Sequence, residues 1–263
     1  MRNVLLLFTF LYCLPIIVHA QRANQKYVEV CGVKWAIGNL VYKDGNYQIQ
    51  EKQYYCCNYR GTQKEDYLDH FNFGVLNGTV YSNDFFYNSK IKTICGNPKL
   101  DICTNKLGSD YRLPTKKEFE TLKKKANQYI AKYYFHNSEG KLVYIEGIYF
   151  TTPEGKKRDK FSWNFLKNKE ITVTDEDLEK GLFLPLLNYR QQGGHHLIAV
   201  QTEYKDEILV SDHGYYWSGD MRDGYGYILS LSEVGIDITF PGTGSLSEYI
   251  GAGMSIRPVY CGE

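Results

Sequence analysis

Short stretches that alternate apolar and polar residues lie near both ends of the chain and predict β-strands joined by tight turns. The stretch KYVEVCGVKWAIGNLVY predicts a strand or hairpin that turns at Gly32. The stretch YGYILSLSEVGIDITF predicts a second hairpin with a turn near Gly235, and GMSIRPVYCG predicts a final short strand carrying Ile256 and Val259. LFLPLLNY is apolar throughout, but Pro185 lacks a backbone donor and argues against a central strand.

One long stretch has helical spacing instead. Thr115 followed by Glu118 is a capping-box pattern, in which each residue satisfies a free amide of the first helical turn. Apolar residues then recur at helical intervals as far as Tyr133, so the sequence predicts one main helix over about 115–134. Thr174 and Asp177 form a second, weaker capping pattern and predict a short helix that ends at Gly181, within TVTDEDLEKG.

One main helix among many short strands predicts an α+β fold with an antiparallel sheet. The polar connections between the predicted strands are long, and long connections are either functional or disordered. Aromatic residues within them favour ordered loops.

The first 20 residues, MRNVLLLFTFLYCLPIIVHA, have the features of a secretory signal peptide. Arg2 precedes an apolar run, and Val18 and Ala20 are small residues at the two positions that define cleavage before Gln21. A membrane anchor is the alternative, but the run is shorter than the ~20 residues a span needs and contains Pro15. We therefore expect residues 21–263 to form one exported domain with no membrane span, secreted, periplasmic or held at the cell surface.

Cysteines and charge limit the classes of protein further. The formal net charge of +1 argues against nucleic acid, which favours a strongly basic face. An even number of cysteines follows the signal peptide, which suggests disulfides in an exported chain. A bond between Cys95 and Cys103 could close the loop CGNPKLDIC, and a bond between Cys31 and Cys261 could join the two ends. Cys56 and Cys57 are adjacent, and adjacent cysteines rarely bond to each other. No Cys-x-x-Cys pair supports a zinc site.

Five motifs follow one another along the chain: CGVKWAIGNL, YRLPTKKEFETL, LFLPLLNYR, GYYWSG and GAGMSIRPVYC. In order and spacing they resemble the Fibrobacter succinogenes major paralogous domain, a group of exported bacterial domains similar to the C-type-lectin-like fold and to the sulfatase-modifying-factor group. The resemblance spans about Val28 to Val259. It implies a C-type-lectin-like domain in which the terminal strands pair, a helix follows the first strands, and long loops precede the final strands.

The resemblance also implies structural roles for single residues. Paired terminal strands would bring Cys31 and Cys261 within bonding distance. Trp35 is expected in the core, Trp217 is expected to anchor the loop end against the sheet, and Arg257 is expected to pair with a carboxylate. The resemblance supplies no catalytic residue.

Two kinds of ligand site are compatible with these residues. Exposed aromatic rings can stack on sugars, although buried packing is their more usual role; the candidates are Tyr189, Tyr215, Tyr216, Tyr225 and Trp163. Asp220 and Asp223 offer oxygen ligands to calcium, although a solvated acidic turn is the simpler interpretation. The Glu-Pro-Asn and Trp-Asn-Asp triplets of calcium-dependent sugar-binding lectins are absent from the sequence.

Catalytic patterns are weak. His195 and His196 are adjacent and would point to opposite faces of a strand, which hinders joint metal binding with His213. No cysteine has an obvious activating base beside it, and neither Gly-x-Ser-x-Gly nor His-Glu-x-x-His occurs. The sequence therefore predicts a non-catalytic binding or adhesion domain for an extracellular glycan or protein. The alternatives are an enzyme of sulfatase-modifying type and a structural surface or fimbria-like subunit.

Overall fold

The computed structural model describes residues 25–54, 67–77, 83–136, 140–154, 170–190, 197–198, 203–205, 208–210, 213–232, 235–240 and 251–263. The helices in these ranges are α1 (Ile102–Leu107), α2 (Lys116–Lys125) and α3 (Asp175–Lys180). The strands are β1 (Tyr27–Val30), β2 (Val33–Ala36), β3 (Leu40–Lys43), β4 (Asn46–Ile49), β5 (Tyr67–Leu68), β6 (Phe71–Asn72), β7 (Tyr111–Arg112), β8 (Asn127–His136), β9 (Leu142–Thr151), β10 (Ile171–Val173), β11 (Leu182–Pro185), β12 (Tyr189–Arg190), β13 (Leu197–Ile198), β14 (Glu203–Lys205), β15 (Ile208–Val210), β16 (His213–Arg222), β17 (Tyr225–Ser232), β18 (Gly235–Thr239), β19 (Gly253–Met254) and β20 (Val259–Tyr260).

The strands form small sheets with mainly antiparallel pairing. Four-stranded sheets have the orders β1-β2-β20-β7, β10-β8-β9-β11 and β13-β12-β19-β6. Three-stranded sheets have the orders β16-β17-β18 and β4-β3-β5, and β14 pairs with β15. Strand β10 lies parallel to β8. The predicted α+β class with antiparallel sheets is confirmed.

The two ends of the chain meet in one sheet. Strands β1 and β2 form the predicted hairpin, which turns at Cys31 and Gly32, both with positive φ angles of 53° and 79°. Strand β20 pairs with β2 through Val259 and Trp35, as the resemblance implied. The expected bond between Cys31 and Cys261 is nevertheless not formed, and Cys261 is an exposed free thiol. Backbone pairing therefore joins these ends without the disulfide.

The predicted main helix is right only in its first half. Helix α2 ends at Lys125, and the chain continues as β8, which pairs with β9 from Asn127 to His136. The side chain of Gln128 donates to the carbonyls of Leu122 and Lys123 at 2.8 and 2.9 Å and satisfies the helix C-terminus. The aromatic and β-branched residues after it suit a strand as well as a helix, and a long facing strand decides between the two.

The remaining local predictions from capping and proline are confirmed. Thr174 and Asp177 form a capping box that begins α3, and this helix ends at Lys180 with Gly181 as its C-cap. Strands β17 and β18 form the predicted hairpin, with Ser232 opposite Gly235. Pro185 lies in β11, an edge strand of its sheet, where its missing donor disrupts no ladder.

The start of α2 combines a cap with an ion pair. Thr115 Oγ1 accepts from the Glu118 amide at 3.2 Å, and Glu118 Oε2 accepts from the Thr115 amide at 2.7 Å. Arg112 donates to both carboxylate oxygens of Glu118, at 2.6 and 2.9 Å. Burial raises the pKa of Glu118, but the hydrogen bonds from Arg112 and Thr115 outweigh this effect and hold the pKa below its ordinary value.

Large aromatic side chains and two buried arginines, Arg190 and Arg257, fill the core. Trp35 is fully buried and stacks on Phe119 of α2 with ring centroids 5.9 Å apart, which confirms its expected core position. Around this pair lie Tyr216 and apolar residues from β1, β9, β11 and β17. Helix α2 thus packs its apolar face onto the sheet formed by the chain ends.

Arg257 is fully buried, and its hydrogen bonds join distant parts of the chain. Its Nε donates to Asn39 Oδ1 at 2.7 Å, and Nη1 donates to the Ala36 carbonyl at 3.3 Å and to Gln53 Oε1 at 3.1 Å. Its Nη2 donates to the carbonyls of Gln53 and Phe183 at 3.1 and 3.2 Å. Burial lowers the pKa of Arg257 to about 10. The expected carboxylate partner is wrong, because within the described ranges the guanidinium donates to neutral carbonyl and amide oxygens.

We expect Arg257→Met to destabilise the protein by about 3 kcal/mol or more, because it leaves several buried acceptors without donors. Lys123→Met is the matched control, since the Lys123 ammonium lies at the surface and pairs with the exposed Asp237 at 3.1 Å. The control is expected to cost less than about 1 kcal/mol. Urea unfolding of the purified chain measures both, and equal losses would contradict the role assigned to Arg257.

We expect Glu118→Gln to reduce stability by about 1–2 kcal/mol at neutral pH, through loss of the cap and the arginine pair. The folded-state pKa of Glu118 lies below that of the unfolded chain. The stabilisation is therefore present above the unfolded pKa of about 4.3 and is lost as the pH falls through the folded-state value. Urea unfolding of wild type and variant should show a difference at pH ~7 that shrinks by pH ~3. A difference that is constant with pH would argue against this account.

Candidate functional site

Three of the tyrosines predicted to bind ligand are buried. Tyr189, Tyr215 and Tyr216 belong to the core. The Tyr216 hydroxyl donates to the Pro185 carbonyl at 2.7 Å, and the rings of Tyr189 and Tyr215 pack edge to face at 5.4 Å. Because these side chains are enclosed by the protein and already have partners there, the predicted ligand contacts of the three residues are wrong.

Trp217 has the anchoring position that the resemblance implied. It is buried, its Nε1 donates to the Phe71 carbonyl at 2.8 Å, and its ring lies 5.2 Å from that of Phe73. Beyond Trp217 the register of β16 shifts before Met221. This bulge pairs with another segment, since the Ile94 amide donates to the Gly219 carbonyl at 2.8 Å.

Tyr225, the remaining described candidate, is half-buried beside two exposed rings. Phe85 is 38% exposed and Tyr87 is 53% exposed. The Tyr225 ring stacks with Phe85 at 6.4 Å and meets Tyr87 edge-on at 5.2 Å. On the same face of β17, two residues further on, Tyr227 packs against Phe240 at 5.7 Å. We call these five residues the aromatic surface.

The segment around Phe86 and the β16–β17 turn hold the aromatic surface in place. Residues 85 and 87 face outward because Phe86 between them packs inward and its amide donates to the Phe73 carbonyl at 2.8 Å. Gly224 has a φ of +91°, and a Cβ there would lie 2.3 Å from Cε2 of Tyr87. The turn therefore needs glycine both for its backbone angle and for close contact with the Tyr87 ring.

Charged groups surround the aromatic surface in pairs of opposite sign. The Arg222 guanidinium lies 4.8 Å from the centre of the Phe240 ring, and Lys116 Nζ lies 4.9 Å from that of Tyr227. Arg222 Nε is 3.5 Å from Asp223 Oδ2, and Lys116 Nζ is 3.1 Å from Glu120 Oε1. Each cation thus has both a ring and a carboxylate as neighbours.

Asp220 and Asp223, the predicted calcium ligands, have other partners. Asp220 Oδ2 accepts from the Lys116 amide at 2.8 Å and so caps helix α2 from outside it. Asp223 lies exposed in the turn with a φ of 52° beside Arg222. Within the described ranges, no group of three or more potential metal-ligating residues occurs. The Asp220 carboxylate therefore has a structural role, and that of Asp223 pairs with a neighbouring cation.

The predicted bond between Cys95 and Cys103 is not formed, and both are free thiols. The carboxylate of Asp101 organises their loop instead, by accepting from the amides of Gly96 and Leu113 at 2.8 Å and of Cys103 at 2.9 Å. Burial raises the pKa of Cys95 to about 12 and that of Cys103 well above its usual value. Both therefore carry protonated thiols at neutral pH, which disfavours nucleophilic chemistry.

Sequence reasoning missed a buried contact between Ser255, His70 and Asp69. His70 Nδ1 is 2.6 Å from Asp69 Oδ1, and its Nε2 is 3.5 Å from Ser255 Oγ and 3.2 Å from the Leu187 carbonyl. His70 Nε2 lies nearer to the Leu187 carbonyl than to Ser255 Oγ, and the contact with Ser255 is at the outer limit of a hydrogen bond. All three residues are fully buried, so the group is shielded from solvent. No local motif could have revealed it.

The other predicted site residues lie outside the described residues; they are Trp163, Cys56, Cys57, His195 and His196. Within the part of the chain that the structure describes, no helix is long and apolar enough to cross a membrane. No protein family, curated protein or solved structure matches the chain.

We expect Gly224→Ala to displace the Tyr87 ring, because the added Cβ occupies its position. The matched control is Gly45→Ala, where φ is +85° but no atom lies within 4 Å of the added Cβ. Both variants should lose about 1 kcal/mol of stability from the backbone angle. Only Gly224→Ala should abolish the nuclear Overhauser contacts between the rings of Tyr87 and Tyr225, and their persistence would show that the turn does not position Tyr87.

Proposed function

We propose that the protein is an exported, non-catalytic binding module of C-type-lectin-like architecture, and that it recognises glycan through the aromatic surface. The observation that carries this proposal is the grouping of the exposed rings of Phe85 and Tyr87 with the ring of Tyr225. Solvent-accessible rings that contact one another present an apolar face, which is the surface that stacks on the apolar face of a sugar ring.

Features elsewhere in the chain support the proposed architecture and location. The five motifs resemble those of an exported family, and the N-terminal residues have the pattern of a signal peptide. Strand β20 pairs with β2, as in a domain whose ends meet at its base. Because the calcium-binding triplets of sugar-binding lectins are absent, the proposal places glycan contact on aromatic rings and not on a metal ion.

Two observations weigh against the enzymatic alternative. The thiols of Cys95 and Cys103 have raised pKa values because both are largely shielded from solvent, so neither is a ready nucleophile. The hydroxyl of Ser255 is buried and lies 3.5 Å from His70 Nε2, at the outer limit of a hydrogen bond. Alternatively, the aromatic surface binds a protein partner or another copy of this chain in a structural assembly. Measurements of glycan binding and of self-association distinguish these functions.

We expect Tyr87→Ala and Tyr225→Ala each to weaken glycan binding about tenfold or more, which corresponds to about 1.4 kcal/mol of lost stacking. A glycan array on the purified chain identifies the strongest binder, and isothermal titration then gives the dissociation constant for each variant. Tyr134→Ala is the matched control, since Tyr134 is 43% exposed in β8 beside Tyr144 and away from the surface residues in sequence.

Equal effects of all three substitutions would contradict a role for the aromatic surface in glycan binding. Absence of binding to any glycan, together with self-association that depends on protein concentration, would support the structural-subunit function instead. Unfolding curves of the three variants confirm that lost binding does not reflect lost folding.

A further inference from the structure

The length of the aromatic surface bears on the size of its ligand. Tyr225 and Tyr227 are two residues apart on one strand, and this spacing places their backbone positions about 6–7 Å apart. The rings of Phe85 and Tyr87 contact that of Tyr225, and the ring of Phe240 contacts that of Tyr227. Five rings arranged in this way cover more than a single sugar ring can contact, which favours a saccharide chain.

The charged groups around the rings indicate whether the saccharide chain that binds there is charged. Arg222 faces Asp223, and Lys116 shares the Glu120 carboxylate with Lys124 at 3.1 Å each. Asp84 adds a further exposed carboxylate directly before Phe85. A strongly anionic chain would meet these carboxylates, and a cationic chain would meet Arg222 and the lysines. Among the described residues around the rings, neither sign of charge therefore predominates.

Paired charges nevertheless suit hydroxyl groups well. A sugar hydroxyl donates one hydrogen bond and accepts others, so it can bind an ammonium or guanidinium donor and a neighbouring carboxylate acceptor together. At the aromatic surface, the Arg222–Asp223 pair lies at the turn beside Tyr225, and the Lys116–Glu120 pair lies beside Tyr227. Polar groups at the edge of an apolar face fix the orientation of a ligand that the rings hold.

We infer that the ligand of the aromatic surface is an uncharged saccharide chain, held against the rings of Phe85, Tyr87 and Tyr225 and oriented by the Arg222–Asp223 and Lys116–Glu120 pairs. This inference rests on the proposed glycan-binding function and names the class of glycan. It requires binding that depends little on salt, since no net charge is neutralised when the chain binds.

The test compares uncharged hexasaccharides, namely cello-, laminari- and mannohexaose, with hexagalacturonate and a heparin hexasaccharide. Isothermal titration is carried out in about 0.1 M and about 1 M NaCl, between which the Debye length falls from about 10 Å to about 3 Å. At least one uncharged hexasaccharide should bind, with a dissociation constant that changes less than about twofold between the two salt concentrations. Tyr87→Ala should weaken that binding and Tyr134→Ala should not.

A variant that changes the charge beside the rings tests the role of the Arg222–Asp223 pair. Asp223→Asn removes the carboxylate beside Arg222 while leaving the turn residue able to adopt its positive φ. We expect the variant to gain salt-sensitive affinity for hexagalacturonate and to bind the uncharged chain more weakly, because one acceptor of the orienting pair is lost; unchanged affinity for both chains would contradict the role of this pair.

The results of these titrations distinguish the glycan-binding function from the inference that the glycan is uncharged. If wild type binds only the acidic chains, and does so in a salt-sensitive and Tyr87-dependent manner, the inference is overturned while the proposed glycan-binding function stands. If no hexasaccharide of either class binds, or if binding is insensitive to Tyr87→Ala, both fail. Binding of an uncharged chain that is salt-insensitive and Tyr87-dependent supports both.

Discussion

The packing of distant segments in this protein depends on the hydrogen bonds that the buried guanidinium of Arg257 donates. This group is buried among neutral oxygens of the segment after β2, of Gln53 and of β11, so these regions can pack only where they satisfy its donors. Two residues earlier, Ser255 exchanges backbone hydrogen bonds at 3.1 Å with Tyr215 and Trp217. The position of Arg257 therefore fixes the path of β16 past the core, and β16 leads directly to the turn that carries the aromatic surface.

Helix α2 is coupled to the same strand through its first amide. Asp220, in the bulge of β16, accepts from the Lys116 amide, while Arg112 and Thr115 hold Glu118. The bulge thus directs the Asp220 carboxylate toward the N-terminus of α2, where negative charge is favourable. Since Lys116 also contacts the ring of Tyr227, the helix start and the aromatic surface are parts of one continuous structure.

Structural features that depend on a few neighbouring residues could be predicted from the sequence. Both capping boxes, the turn at Gly32, the β17–β18 hairpin and the edge position of Pro185 depend on such short-range chemistry. The end of α2 could not be predicted in the same way, because the residues after Lys125 suit helix and strand alike and pairing with β9 decides the outcome. The partners of Arg257 and the contact of Tyr225 with Phe85 and Tyr87 join distant segments, and local patterns carry no information about them.

The same separation along the chain has a consequence for biosynthesis. The segment with Phe85 and Tyr87 emerges from the ribosome long before the β16–β17 turn, and Arg257 emerges after both. A chain of which only the first half has been made therefore exposes these rings without the partner that orders them. The aromatic surface therefore forms only after Tyr225 and Tyr227 have been made, so a product that ends before β17 would lack it.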